Sequence, residues 1–168
     1  MTQGNISSSN RIREKKKVFL AREEKIVRAA LELLIGENID RVTVSKIASK
    51  AGIGKGTVYK HFLTKNEILV RIMLDYERRI ARRLSEALKE AESGDPGAVS
   101  KAYFDSRLER PELDRLVQKL EDRLVDADDI KPQLAEFSRI RRSHEDALGS
   151  MITKLIGEGI LEDVPPHY

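Results

Sequence analysis

Between positions 55 and 61 the chain carries Lys55, Thr57, Tyr59, Lys60 and His61, with no acidic residue among them. Each of these side chains can donate a hydrogen bond to a phosphate oxygen or to the edge of a base. Gly56, in their midst, has no side chain to hold a helix away from a polyanion's backbone. Val58 and Phe62 are spaced i, i+4. On a helix they would face inward and leave the donors outside. Such a helix is too short to stand alone, so other elements must hold it.

The residues just upstream supply those elements. Ala48 is a small residue that lets a second helix pack close, and Gly52, four positions later, tolerates a positive φ. Ile47, Ile53 and Val58 have the spacing to hold two short helices together, and the pattern is that of a helix-turn-helix. Thr43 offers an N-cap for the first helix, which carries Val44, Ile47 and Ala48. The second is predicted over about 54–61. Ile26, Ala30, Leu33 and Leu34 form an apolar helical face that closes the small core, with Gly36 as its stop.

Further along, Thr64-Lys65-Asn66-Glu67 reads as a capping box opening a long helix. Its apolar face is Ile68, Ile72, Tyr76, Ile80, Leu84 and Ala87, and it should end near Ser93-Gly94-Asp95-Pro96-Gly97. A shorter helix carries Val99, Ala102 and Tyr103. Pro111 suits the first turn of the next, with Leu113, Leu116, Val117, Leu120 and Leu124 on one face. A final long helix is predicted over 130–156, with Leu134, Phe137, Leu148, Ile152 and Leu155. Nothing alternates at period two, so the fold class is all-α. An N-terminal three-helix helix-turn-helix domain is followed by a helical bundle.

Charge divides the chain the same way. Residues 1–65 hold 14 Lys/Arg and 6 Asp/Glu, a net of +8, whereas residues 66–168 hold 17 and 22, a net of −5. The first part suits a polyanionic partner. The expected domains are a disordered basic arm at 1–17, a helix-turn-helix domain at 18–65, and a helical domain at 66–168. The arm's cations are Arg11, Arg13, Lys15, Lys16 and Lys17. No apolar run approaches the roughly 20 residues of a membrane span, and the N-terminus has no secretory pattern. A cytoplasmic protein is expected.

Enzyme chemistry finds no support. There is no cysteine, and His61, His144 and His167 stand in no metal-ligand spacing. No Gly-x-Ser-x-Gly elbow is present. Gly52-Ile-Gly-Lys-Gly56 follows no strand and lacks the full phosphate-loop pattern. No catalytic residue, metal or cofactor is expected.

A resemblance sharpens the reading. Thr43-Val44, Ile47-Ala48, Ala51-Gly52-Ile53, Gly56-Thr57-Val58-Tyr59, His61-Phe62 and Lys65-Asn66-Glu67-Ile68-Leu69 resemble the TetR family signature, and Ile26, Ala29-Ala30 and Gly36 resemble that family's first helix. The likeness covers about residues 22–70; beyond it only the layout is similar. It implies a recognition helix in the major groove of double-stranded DNA. It also implies phosphate contacts from Thr43, Tyr59, His61 and Lys65. Lys55, Thr57 and Lys60, with Gly56 between them, would lie closest to the bases. Family members often have Ser or another polar cap where this chain has Gly54, so no side chain can reach a phosphate from that position.

The family implies that the helical bundle at 66–168 is a regulatory domain for effector binding and dimerisation, and that the protein is a repressor released by a small-molecule effector, working as a homodimer on a palindromic operator. Effector candidates are Tyr76, Tyr103, Phe104, Arg107, Phe137, Arg141 and His144. Arg78, Arg79, Arg82 and Arg83 lie on adjacent faces of the long helix, either paired with Glu77 and Glu86 or forming a second basic contact. The alternative function is a nucleoid-type or partner-binding module that uses the fold without a ligand. The chain stops soon after the 130–156 helix, where the family usually has two more helices. Either it is a truncated form, or dimerisation uses Leu116, Leu120, Leu124, Leu148, Ile152 and Leu155.

Overall fold

The computed structural model describes residues 3–92, 94–95 and 97–160, and every regular element among them is helical. The order is α1 (Gln3–Gly36), α2 (Val44–Lys50), α3 (Lys55–Tyr59), α4 (Lys65–Glu92), α5 (Ala98–Leu108), α6 (Pro111–Leu124) and α7 (Lys131–Gly157). Single 3-10 turns at Ile39–Arg41 and Asp128–Ile130 lead into α2 and α7. The chain divides into two compact units between Ile72 and Met73, within α4.

The first unit is built as the apolar spacing requires. Ile26, Ala29, Ala30 and Leu34 of α1 are buried, as are Ile47 and Ala48 of α2 and Val58 of α3. The Thr43 hydroxyl accepts the Lys46 N–H at 3.2 Å and caps α2. Gly54 caps α3 without a side-chain bond. At α4 the Thr64 hydroxyl accepts the Glu67 N–H at 3.2 Å. The Glu67 carboxylate reaches back to the Leu63 N–H.

Gly52 sits in the turn between α2 and α3 at φ +62°. A Cβ there would meet only the Lys25 Nζ, at 3.9 Å, an ordinary contact. The constraint is therefore on the backbone rather than on space. Gly52→Ala should lose about 1–2 kcal/mol of stability, the cost of a left-handed L-residue, and Gly52→Asn should lose less. Equal urea midpoints for the three proteins would show that the turn does not need this conformation.

The N-terminus differs from the expected disordered arm. Residues 3–36 are one helix. Between Asn5 and Ile35 there is no Gly or Pro, and residues 11–25 are rich in Arg, Lys and Glu, which are good helix formers. Once the buried face nucleates α1, each upstream residue adds a hydrogen bond at little further cost. Met1 and Thr2 of the arm lie outside the described residues.

In the second unit Leu113, Leu116, Val117, Leu120 and Leu124 of α6 are buried, with Phe137, Ile140, Met151 and Leu155 of α7. This corrects the expected dimer surface. Leu116, Leu120, Leu124 and Leu155 are consumed by the unit's own core, because their helix faces pack inward. Leu148 is half-buried, and Ile152, 44% exposed, is the most accessible of the six. Ser93 and Pro96 of the expected loop, and residues 161–168 with the two consecutive prolines, lie outside the described residues. Among the described residues no helix is long and apolar enough to cross a membrane.

Candidate nucleic-acid interface

The buried face of α3 fixes its outer face. Val58 is fully buried, whereas Lys55, Gly56, Tyr59 and Lys60 are exposed and Thr57 is half-buried. The Lys55 ammonium lies 5.8 Å from the centre of the Tyr59 ring, one helical turn on, so the cation and the aromatic form one patch. A Cβ added to Gly56 would meet nothing within 4 Å, so its surroundings within the protein are open. Thr43 is exposed at the start of α2. Neighbouring cations are committed elsewhere. Lys46 pairs with Glu37 at 2.6 Å, and Lys50 with Glu32 at 3.0 Å.

Two expected phosphate ligands are placed differently. The His61 side chain is only 3% exposed. Its ring stacks under Phe19 with centroids 4.1 Å apart, and its Nδ1 faces Glu23 at 3.9 Å. The imidazole is turned into the first unit, where the upstream extension of α1 covers it. The Lys65 ammonium donates to the Ile39 carbonyl, tying the start of α4 to the turn before α2. Phe19 and Glu23 lie some forty residues before His61, and sequence spacing could not pair them.

In the second unit the effector candidates fall into two polar clusters. In the first, the Tyr76 hydroxyl donates to Asp114, and Arg107 meets the same carboxylate at 2.8 Å. The Arg107 guanidinium lies 4.8 Å from the centre of the Tyr103 ring. Burial first, and then the Asp114 carboxylate, push the Tyr76 phenol pKa up. In the second cluster Arg141 bridges Glu77 at 2.9 Å and Glu121, and packs over the Phe137 ring at 4.5 Å. His144 Nδ1 lies 3.3 Å from the Glu77 carboxylate, off the line a hydrogen bond needs, and both ring nitrogens lack a hydrogen-bond partner. Burial raises the Glu77 pKa, but His144 and Arg141 outweigh it and the carboxyl titrates below its ordinary range. Phe104 joins neither cluster and is 61% exposed, touching Tyr103 edge-on.

Residues 26–72 match the family model described as bacterial regulatory proteins, tetR family. Residues 26–72, from the buried turns of α1 into α4, therefore carry the TetR-type segment. The fatty acid metabolism regulator protein of Bacillus subtilis (strain 168) is 34% identical over 65 residues, covering 39% of this chain and 34% of that protein. The HTH-type transcriptional regulator SrpR of Pseudomonas putida is 38% identical over 50 residues, covering 30% of this chain and 24% of that protein. The chain thus matches about a quarter to a third of the length of these relatives. A TetR family transcriptional regulator, PfmR from Thermus thermophilus, has a similar fold at TM-score 0.70 and 21% identity, covering 83% of this chain and 75% of that one.

The TetR-type fold therefore continues past residue 72, although sequence likeness to the family model ends there. Three of the four arginines over 78–83 are engaged within the second unit, whereas Arg82 is exposed and has no ion-pair partner among the described residues. Arg78 pairs with Asp75 and with Glu136, and Arg79 and Arg83 share Glu109. Glu77 is not their partner; it is fully buried. Its burial had a sequence signal, since Met73, Glu77, Ile80 and Leu84 share one helical stripe.

Proposed function

We propose that this protein is a sequence-specific DNA-binding transcription regulator that inserts α3 into the major groove. The observation that carries the reading is the exposed, acid-free patch of Lys55, Gly56, Tyr59 and Lys60 on a helix whose other face is locked by Val58. Thr57 and Thr43 flank it, and the patch lies within the matched TetR segment. Lys55, Thr57 and Lys60 read base edges; Thr43 and Tyr59 anchor phosphates.

The rest of the reading follows the family. The protein acts as a homodimer on a palindromic operator, and a small molecule releases it from DNA by engaging the polar clusters around Tyr76, Arg107 and Arg141. A ligand that binds those clusters and leaves operator affinity untouched would remove this part of the proposal.

The DNA reading is tested on the exposed donors. Tyr59→Ala and Lys60→Ala should each weaken binding by ~1–3 kcal/mol. Melting should be unchanged, because both side chains are exposed. The measurement is fluorescence anisotropy with a duplex enriched from a random pool. Wild-type affinity in both variants would refute the interface.

A further inference from the structure

The sequence over 10–22 carries Arg11, Arg13, Lys15, Lys16, Lys17 and Arg22 against the single acid Glu14. All six cations are exposed, and among the described residues none has an ion-pair partner. In this they differ from Lys46 and Lys50, which are neutralised by Glu37 and Glu32. They are not on a loose tail. They ride on α1, whose later turns are locked into the core of the first unit through Ile26, Ala30 and Leu34.

The root of this segment packs against a residue just past the proposed reading head. Phe19 stacks on His61, just past the C-terminal end of α3, with ring centroids 4.1 Å apart. At about 1.5 Å per residue, Arg11 stands roughly 12 Å beyond Phe19 along the helix. The cations therefore lie on the same helix as the residue that packs beside the end of α3, and that helix is anchored in the first unit's core.

We propose that residues 10–22 of α1 form a second, sequence-independent DNA contact, a helical rod that binds backbone phosphates flanking the half-site. The inference rests on the α3 reading above and extends it. The occupant is duplex DNA because the charge is complementary and the rod is rooted beside the end of α3, within the same compact unit. A membrane surface needs a single apolar stripe. At 100° per residue Ile12 and Phe19 share one side, where Phe19 is already taken up by His61, while Val18 and Leu20 point to two other sides of the helix. His61 has a positioning role: its ring seats Phe19 and so fixes the rod's root.

The test compares full-length proteins on a labelled random-sequence duplex and on a duplex enriched from a random pool. Replacing Arg11, Arg13, Lys15, Lys16 and Lys17 together by Gln should make the slope of log affinity against log salt shallower, by about 0.9 for each phosphate the protein no longer neutralises. The change should be alike on both duplexes, with the preference between them and the melting curve unchanged. Glu14→Pro keeps every cation but breaks the rod, and it should also make the slope shallower by detaching Arg11 and Arg13. An unaltered slope in the Gln variant overturns the contact. An unaltered or steeper slope in Glu14→Pro overturns the rod in favour of a flexible tail. Loss of binding to acidic phospholipid vesicles, with DNA binding intact, assigns the segment to membranes and overturns the proposal. A wild-type protein with no preference between the duplexes sinks the α3 reading alone, because the rod's effect on the slope is still measurable on either DNA.

Discussion

Arg141→Met should destabilise the second unit by roughly 3–5 kcal/mol, the cost of leaving one charge of a buried pair uncompensated. Glu77 is fully buried, and Arg141 meets it through two nitrogens, at 2.9 and 3.3 Å. Without the guanidinium, the Glu77 carboxylate keeps, among the described residues, only the off-axis His144 ring. At about 2–4 °C per kcal/mol for a chain of this size, the melting midpoint should fall by on the order of 10 °C. The double variant Glu77→Leu/Arg141→Met removes both charges and should recover most of the loss, since apolar replacement of a whole buried pair is often near neutral. A loss under about 1 kcal/mol in the single variant would mean that Glu77 finds solvent or another cation.

The same pair sets an acid limit. The folded Glu77 titrates below its ordinary value of 4.5. Its contribution is therefore present in full above the unfolded carboxylate pKa and is lost as pH falls through the lower, folded one. Urea midpoints should decline in that acidic window, and the Glu77→Leu/Arg141→Met protein should decline less. Parallel declines would mean that other carboxylates carry the acid sensitivity.

Ile47→Ala should lose roughly 2–5 kcal/mol, from the burial forgone together with the cavity left behind. That is a large share of the 5–15 kcal/mol typical of a whole domain. Ile47 is fully buried, in a small core with Ile26, Ala30 and Val58. The α3 face should then lose its support, and DNA affinity should fall although every residue of the interface is unchanged. Ile47→Val removes one methyl group and should lose only about 0.5–1.5 kcal/mol. Amide exchange over α1–α3 reads the effect directly. Undiminished protection in Ile47→Ala would show that the first unit is held by something other than this core.

What could be read without coordinates was local. Thr43, Ala48, Gly52 and Val58 lie within sixteen consecutive residues, and cap, close approach, turn and inward face are set by spacings of a few positions. Those constraints act within one or two helical turns, so residue type alone identifies them. The apolar stripes of α4 and α6 were legible for the same reason, but that of α7 only in part: Phe137 and Leu155 are buried as expected, whereas Ile152 is exposed and Ile140, His144 and Met151 complete the buried face. The α1 extension was not, because helix propagation depends on a nucleus some ten residues downstream.

Tertiary structure decided which polar groups share a site. His61 looks like one more surface donor until Phe19, 42 positions earlier, is seen to cover it. Glu77 and Arg141 are 64 residues apart and meet only because α4 and α7 pack within the same unit. The leucines of α6 could equally have served a partner until the unit's own core was seen to bury them. One-dimensional periodicity says that a helix face is apolar. It does not say which surface covers that face, because the covering residues are fixed by how distant helices pack.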